Sequence, residues 1–553
     1  MKIAIAQLNF HIGNFEYNKE LIFDHITKAK KDDADLIVFS EVSVCGYPPQ
    51  DLLAYKGFID ECDIAVKEIA SHCKGIAAII GSPRFNPSPK GKPLLNSAFF
   101  LNEGKIQFVQ NKTLLPTYDI FDEYRYFEPN NRFDVVEYKG YKIAVTICED
   151  LWDDQPENNI FGRRELYTLS PMEKLKDFEP DILINISASP FSYSKIWGKK
   201  NVFLRKAKQY NIPVFMVNQV GAQTELIFEG ASLVVHPTGT VVDELKWFKE
   251  DYRAYELDKI LKSEVDVKHH SEYDLIEKIH DALVLGLEDF FGKLNFKKAV
   301  LGLSGGIDSA VALVIAKRAL GRENLRVLIM PSEYSSEDSV TDAKKLAENL
   351  GINYDILPID DIKTAFSETL EPVFKDIQEN TAEENIQARI RGTLLMAISN
   401  KFGNILLNTS NKSESAVGYT TLYGDMTGAV SILGDVYKTD VYKLAEYLNM
   451  NEEIIPENIV NKTPSAELRP NQKDSDSLPD YEVLDKILFE YIELQKSVDD
   501  IVADGQDEAL VRDIINMVNL NEYKRFQAPP VLRISSKAFG MGRRMPLVAR
   551  YQT

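Results

Sequence analysis

The sequence predicts two α/β domains in tandem, a layered α/β sandwich over residues 1–250 and a doubly wound parallel sheet over residues 273–553, with a linker at 251–272. Three observations carry this prediction. At 553 residues the chain exceeds what one hydrophobic core organises. Its first half is crowded with short apolar strands, some paired as hairpins, whereas strand and helix alternate in the second. All seven histidines and all four cysteines lie at or before His280, so the halves also differ in their chemistry.

In the first half the expected strands are Lys2–Leu8, Asp35–Ser40, Ile76–Gly81, Ala98–Val109 with a turn at Glu103-Gly104, Tyr141–Ile147, Asp181–Ile186, Val214–Gln219 and Ser232–Val242 with a turn at Thr238-Gly239. Several are continuous apolar runs, which belong inside a sheet covered on both faces. The hairpins imply sheets that are not purely parallel. Residues 246–272 are polar and weakly patterned and read as a connection, with His269-His270 as solvated linker residues.

From about Tyr273, Leu275, Ile276, Ile279, Leu283, Leu287 and Phe290 are spaced for one buried helical face. Then Ala299–Leu303, Ala310–Leu320, Arg326–Met330, Ser336–Leu350, Asp355–Pro358, Glu383–Phe402 and Ile405–Thr409 alternate as strand and helix. Such an order places a ligand at the carboxyl ends of the strands. The acidic stretch Asp474 to Asp480 reads as a solvated loop.

Composition narrows the function. With 84 acidic against 64 basic residues the net charge is −20, which disfavours a nucleic-acid partner. No apolar run reaches the length of a membrane span, and Met1 to Leu8 enters a strand rather than a signal peptide, so a cytoplasmic protein with no membrane partner is expected. Cys45, Cys62, Cys73 and Cys148 contain no close pair, which argues against a disulfide framework or a zinc site. From Asp281 onward no thiol or imidazole exists, so chemistry there must use carboxylates, lysines, hydroxyls, backbone amides and a hard cation.

Ser304-Gly305-Gly306-Ile307-Asp308-Ser309 joins an apolar strand to an apolar helix. Small residues let backbone N–H groups close on an anion, the helix adds the positive end of its dipole, and Asp308 supplies a carboxylate for Mg²⁺. The run lacks the Gly-Lys-Ser/Thr ending of a Walker loop. In the first half, Glu41, Lys112 and Cys148 each stand at the end of an expected strand. Taken singly, Cys148 could be a small core residue and the others surface charges. Together they could form a cysteine nucleophile with its proton acceptor and an oxyanion partner.

Ser304–Ser309 resembles the pyrophosphatase loop of the ATP-pyrophosphatase superfamily, whose members split ATP between the α and β phosphates and adenylate a substrate oxygen. Phe39-Ser40-Glu41 with Gly46-Tyr47-Pro48, Lys112-Thr113-Leu114-Leu115-Pro116 and Cys148-Glu149-Asp150-Leu151-Trp152 resemble the nitrilase superfamily of carbon–nitrogen hydrolases. That likeness implies an α-β-β-α sandwich with Glu41, Lys112 and Cys148 as the catalytic triad. Ser187-Ala188-Ser189-Pro190-Phe191, Lys195 and Tyr118 are similar to its glutaminase branch, which implies that Tyr118, Ser189 and Lys195 bind glutamine.

The rest of the second half resembles the glutamine-dependent NAD synthetase family in several runs, among them Glu384 to Arg391, Asn408 to Glu414, Tyr423 to Met426, Gly434 to Lys438, Pro464 to Pro470 and Glu522 to Arg525. The resemblance implies ATP and deamido-NAD as substrates, and no nucleic acid. It implies ATP binding by Ser304, Gly305, Gly306, Ile307, Asp308, Ser309, Thr409, Lys438 and Ser465, deamido-NAD binding by Asn385, Glu414 and Lys524, and Mg²⁺ on Asp308 and Glu414. Leu422 stands where ammonia-dependent relatives carry lysine. A basic cluster such as Lys524 to Arg550 suits RNA or a solvated face, and in so acidic a chain a dinucleotide's phosphates or another subunit at least as well. Lys524 is read as a ligand residue, the other six stay open, and a homo-oligomer is expected. The alternative is a glutamine amidotransferase of the same superfamily acting on another carboxylate. Sulfur transfer is disfavoured because no cysteine lies in this half.

Overall fold

The computed structural model describes residues 1–155, 165–262 and 274–549, which form two compact units, Met1–Tyr273 and Asp274–Thr553. The first holds two six-stranded sheets. One runs in the order Asp251–Glu256, Lys2–Gln7, Leu36–Val38, Ala77–Phe85, Leu94–Asn102, Lys105–Asn111. The other runs Val241–Glu244, Leu233–Val235, Val214–Asn218, Ile182–Ser187, Tyr141–Ile147, Val136–Tyr138. The three central strands of the first sheet are parallel, as are Tyr141–Ile147, Ile182–Ser187 and Val214–Asn218 in the second, and the outer strands are antiparallel.

Alternation along the strands explains the layers. Ile3, Ile5, Leu36, Val38 and Ile79 face Ile143, Val145, Ile147, Ile184 and Val217 in one core between the sheets. The intervening residues Ala4, Ala6, Ile37 and Phe39 turn outward onto Ile22 and Ile26 of helix Phe15–Lys31 and Ile69 of helix Lys56–His72. Ala144, Leu183 and Val214 do the same on the far side, under Val202 and Phe203 of helix Ile196–Tyr210. This is the expected α-β-β-α sandwich.

The expected linker is shorter than the sequence suggests. Asp251–Glu256 is an edge strand antiparallel to Lys2–Gln7, followed by the short helix Leu257–Leu261. It looks polar because Arg253 is neutralised by Asp243 at 2.7 Å. His269-His270 lies outside the described residues.

The second unit holds a five-stranded parallel sheet in the order Asn353–Ile356, Leu325–Ile329, Ala299–Gly302, Ile405–Asn408, Val430–Ser431. The chain winds outward from Ala299–Gly302 in one direction and then in the other, so the switch point falls between that strand and Ile405–Asn408. Helices Ile307–Leu320, Glu337–Leu350 and Thr381–Phe402 make the crossovers. Tyr481–Leu488, Val498–Ala503 and Glu508–Leu520 pack with Lys412–Val417 and Phe539 around a second core, built mainly of helices. No helix among the described residues is long and apolar enough to cross a membrane.

Candidate functional sites

In the first unit the strand ends gather the three expected residues. Glu41 follows Leu36–Val38, Lys112 follows Lys105–Asn111, and Cys148 follows Tyr141–Ile147. Glu41 and Lys112 are almost fully buried and bonded, Lys112 Nζ donating to Glu41 Oε1 at 2.8 Å. Asn96 Nδ2 donates to the same oxygen at 2.8 Å, and the Ala188 N–H donates to Glu41 Oε2 at 3.1 Å. A second acid, which no motif singled out, completes the set. Glu123 is buried, accepts from Lys112 Nζ at 2.9 Å and takes the Tyr47 hydroxyl at 2.9 Å.

Burial would lower the Lys112 ammonium, but the Glu123 and Glu41 carboxylates outweigh it and hold the pKa well above the usual lysine range. Lys112 therefore stays cationic. Burial, aided by Glu41 and opposed by Lys112, pushes the Cys148 thiol above its ordinary value. A thiol in that setting needs a base to become a nucleophile. Cys148 sits at φ 43°, a left-handed conformation that costs a non-glycine residue about 1–3 kcal/mol, at the turn from strand into Cys148–Leu151.

Asp150 holds that turn against the lysine. Its carboxylate accepts the N–H groups of Thr113 and Leu114 at 2.9 Å, just after Lys112, and that of Ile147 at 3.0 Å, just before Cys148. Burial nevertheless pushes Asp150 up to about 7, the backbone bonds pulling the other way. Because its folded pKa is raised, the stability it contributes is full below the unfolded value of about 3.9 and is lost as pH rises through about 7. Asp150→Asn is expected to flatten that part of the stability–pH curve, measured by urea unfolding at pH 5 and pH 8. An unchanged difference between the two pH values would contradict this.

The residues expected to bind an amino-acid substrate lie around this set. The Tyr118 hydroxyl donates to Glu149 at 2.9 Å, and Tyr167 donates to the same carboxylate at 2.8 Å. Burial, with Glu149, raises both phenols. Ser189 follows strand Ile182–Ser187, and Lys195 precedes helix Ile196–Tyr210 with its ammonium 3.6 Å from Asp119. Cys45, Cys62 and Cys73 are buried and in no disulfide.

In the second unit a cavity of about 320 Å³ opens at the sheet's switch point. Its lining includes all of Ser304–Ser309 with Thr409, Glu414, Lys438 and Ser465. Gly306 caps helix Ile307–Leu320, and the Ser304 and Ser309 hydroxyls lie 3.1 Å apart across the loop. Gly305 has φ +82° and a Cβ there would stand 2.3 Å from the Ser339 carbonyl, so only glycine fits. Asp308 accepts from Asn411 Nδ2 at 2.8 Å and from Lys438 Nζ at 2.5 Å, while Glu414 lies 3.5 Å from the same ammonium. Burial and the Asp308 charge raise Glu414 to about 8 against the pull of Lys438.

Among the described residues no cluster of three or more His, Cys, Asp and Glu side chains could hold a metal unaided. Asp308 and Glu414 nonetheless converge on one point, marked by Lys438 Nζ, with hard oxygens. That pair fits Mg²⁺, which usually takes one or two carboxylates and completes its shell with phosphates and water.

One expectation needs revision here. Asp474 is not solvated: it is 6% exposed, lines the cavity and accepts the Tyr481 hydroxyl at 2.8 Å. Asn385 and Lys524 stand outside the cavity lining, but both grip the loop that borders it. Asn385 accepts from Thr421 Oγ1 at 2.7 Å, and Lys524 Nζ donates to the Gly418 and Thr420 carbonyls at 2.7 and 2.9 Å. Several cations of the basic tail make internal contacts. Arg525 and Arg533 are buried, with Arg525 bonding the Ser415 and Ala416 carbonyls and Arg533 those of Ser535 and Ser536. Arg543 pairs with Glu522.

A thiol beside a buried carboxylate and a held ammonium is equipment for cleaving an amide, and the second cavity is equipment for nucleotide phosphates. The class defined is an amide hydrolase fused to a nucleotide-using unit. Comparison with known proteins narrows it. The carbon-nitrogen hydrolase family matches residues 2–156, and the NAD synthase family matches residues 279–528. The chain is 42% identical over 555 residues to a glutamine-dependent NAD(+) synthetase of Synechocystis, covering 99% of each chain. It is 40% identical to one from Thermotoga maritima, covering 100% of this chain and 99% of the relative. A solved structure of glutamine-dependent NAD+ synthetase from Acinetobacter baumannii, in complex with adenosine diphosphate, is 38% identical with a TM-score of 0.77, over 99% of this chain and 98% of that one. The chain belongs to the glutamine-dependent NAD(+) synthetase family.

Proposed function

We propose that the first unit hydrolyses glutamine at Cys148 and that the second uses the released ammonia to amidate adenylated deamido-NAD, giving NAD, AMP, pyrophosphate and glutamate. The observation that carries this is the pairing, in one chain, of the Glu41–Lys112–Cys148 set with a phosphate loop flanked by Asp308 and Glu414.

Glu41 takes the Cys148 proton as sulfur attacks the glutamine carboxamide carbon, and Lys112 neutralises the oxyanion. Glu41 returns that proton to nitrogen as the C–N bond breaks and ammonia leaves. It then takes a proton from water, which opens the thioester to glutamate and restores the thiol. Tyr118, Ser189 and Lys195 hold the amino-acid end of glutamine.

At the second site an oxygen of the deamido-NAD carboxylate attacks the α-phosphate of ATP and the α–β bond breaks. Pyrophosphate departs against the Gly305–Ser309 backbone, with Lys438 and Ser465 around its oxygens and Thr409 beside the nucleotide. Asp308 and Glu414 would hold Mg²⁺, which when bound supplies positive charge to the phosphates. Ammonia adds to the adenylated carboxyl carbon, loses a proton and expels AMP. Asn385, Glu414 and Lys524 bind deamido-NAD, and Asn385 and Lys524 also hold the Gly418–Thr421 loop. Homo-oligomeric assembly and a cytoplasmic setting complete the proposal.

Incubation with deamido-NAD, ATP, Mg²⁺ and either glutamine or ammonia should yield NAD and AMP in equal amounts. Formation of ADP and phosphate would contradict the scheme. Glu123→Gln is expected to lower glutamine turnover by about 10²-fold, because Lys112 loses a carboxylate that fixes its position and charge. Ammonia-driven synthesis, assayed in parallel, should be unaffected.

A further inference from the structure

Ser189 and Lys195 are joined by a side chain that belongs to neither motif. Lys199 lies one helical turn beyond Lys195, its N–H donating to the Lys195 carbonyl at 3.0 Å. Its ammonium reaches back to the Ser189 carbonyl at 3.1 Å and pairs with the Glu229 carboxylate. Asn218, the last residue of strand Val214–Asn218 and fully buried, grips Ser189 as well. Its side-chain oxygen accepts the Ser189 N–H at 2.9 Å, and its amide nitrogen donates to the Ser189 carbonyl at 3.2 Å and to the Gly230 carbonyl at 3.1 Å.

Both main-chain polar groups of Ser189 are thus fixed by buried side chains, and Lys199, through its main-chain N–H on the Lys195 carbonyl and its ammonium on Ser189, ties the helix turn that begins at Lys195 to Ser189. Two hydrogen bonds between one side-chain amide and the N–H and carbonyl of one residue set its orientation as well as its position. The Lys199–Glu229 pair has side chains only 12% and 5% exposed, so removing one partner would strand the other's charge. Among the described contacts, none of the three side chains bonds to Glu41, Lys112 or Cys148.

We infer that Asn218 and Lys199, with Glu229 as counter-ion, are positioning residues that set the spacing of Ser189 and Lys195 and so the selectivity for the amino-acid end of glutamine. This rests on the proposed reading of Ser189 and Lys195 as glutamine-binding residues. The brace bonds none of the three reacting residues itself, its link to them being the neighbouring Ala188 N–H on Glu41. Loosening it should cost affinity for a substrate with charged α-groups and nothing for a reagent lacking them.

The test uses the full chain with Asn218→Ala, and with the double replacement Lys199→Met/Glu229→Met, which strands no charge. Each should raise the glutamine KM by about tenfold or more with kcat within about threefold, as expected when Asn218→Ala loses two hydrogen bonds to Ser189 and the double variant one charge-assisted bond. Alkylation of Cys148 by iodoacetamide, which has no amino-acid end, should keep its wild-type rate. Lys199→Arg should restore most of the affinity. Ser189→Ala and Lys195→Ala examine the underlying reading: if neither changes the glutamine KM, that reading fails. If they raise it and the brace variants do not, the inference is overturned. It is equally overturned if the brace variants lower kcat and Cys148 alkylation together.

Discussion

Cys148→Ala should abolish NAD formation from glutamine, by about 10³-fold or more, and leave NAD formation from ammonia at the wild-type rate. Cys148 is the attacking atom in the proposed glutaminase, and neither Glu41 nor Lys112 can replace a nucleophile. The substitution removes a single sulfur from a buried position, so the first unit should still fold. The second unit lies on its own sheet and core, and its cavity is lined wholly by its own residues. The check is paired initial rates with saturating glutamine and with ammonium chloride at pH 8. Equal loss of both activities would sink the two-site account.

Asp308→Asn should have the opposite pattern and a comparable size, removing NAD formation from either nitrogen donor by about 10³-fold. Asp308 lies in the first turn of helix Ile307–Leu320, bonded to Asn411 and Lys438 and facing Glu414 across that ammonium. Replacing the carboxylate halves the negative charge offered to Mg²⁺ and leaves Lys438 with one carboxylate partner. Glutamine hydrolysis to glutamate, assayed without ATP, should continue. Persistent NAD synthesis in the variant would disprove the role given to Asp308.

The contrast between these variants reflects how unevenly the site could be read from sequence. Strands ending in Glu41 and Cys148 were legible because parallel strands buried on both faces are continuous apolar runs. Their reactive residues interrupt those runs at the carboxyl end. Lys112 was placed instead by the antiparallel hairpin with its turn at Glu103-Gly104. Ser304–Ser309 was legible because Gly305 tolerates no side chain against Ser339, leaving a visible mark in the sequence.

Glu123 left no such mark. It stands in Tyr118 to Tyr126 among Asp119 and Asp122, and nothing in their spacing tells which acid will meet Lys112. Asp474 was masked by its neighbours, since a run of acids reads as solvated and only the fold turns one of them onto Tyr481. Asn218 and Lys199 act through Ser189 and are visible only as hydrogen bonds. Asp251–Glu256 was missed for another reason. An edge strand carrying Arg253 against Asp243 has little of the apolar signal that marks a central one, although its alternating Tyr252, Ala254 and the opposed Arg253, Tyr255 offered a clue.

The central claim is that one chain activates a carboxylate through AMP and supplies the nitrogen that displaces it. A single reaction tests it, combining [amide-¹⁵N]glutamine, unlabelled ATP and deamido-NAD labelled with ¹⁸O in its carboxylate, with all products read by mass spectrometry. The account predicts ¹⁵N in the NAD carboxamide and one ¹⁸O in AMP for each NAD formed, with none in pyrophosphate. Appearance of ¹⁸O in inorganic phosphate, or NAD without ¹⁵N when no other ammonia is present, would contradict it.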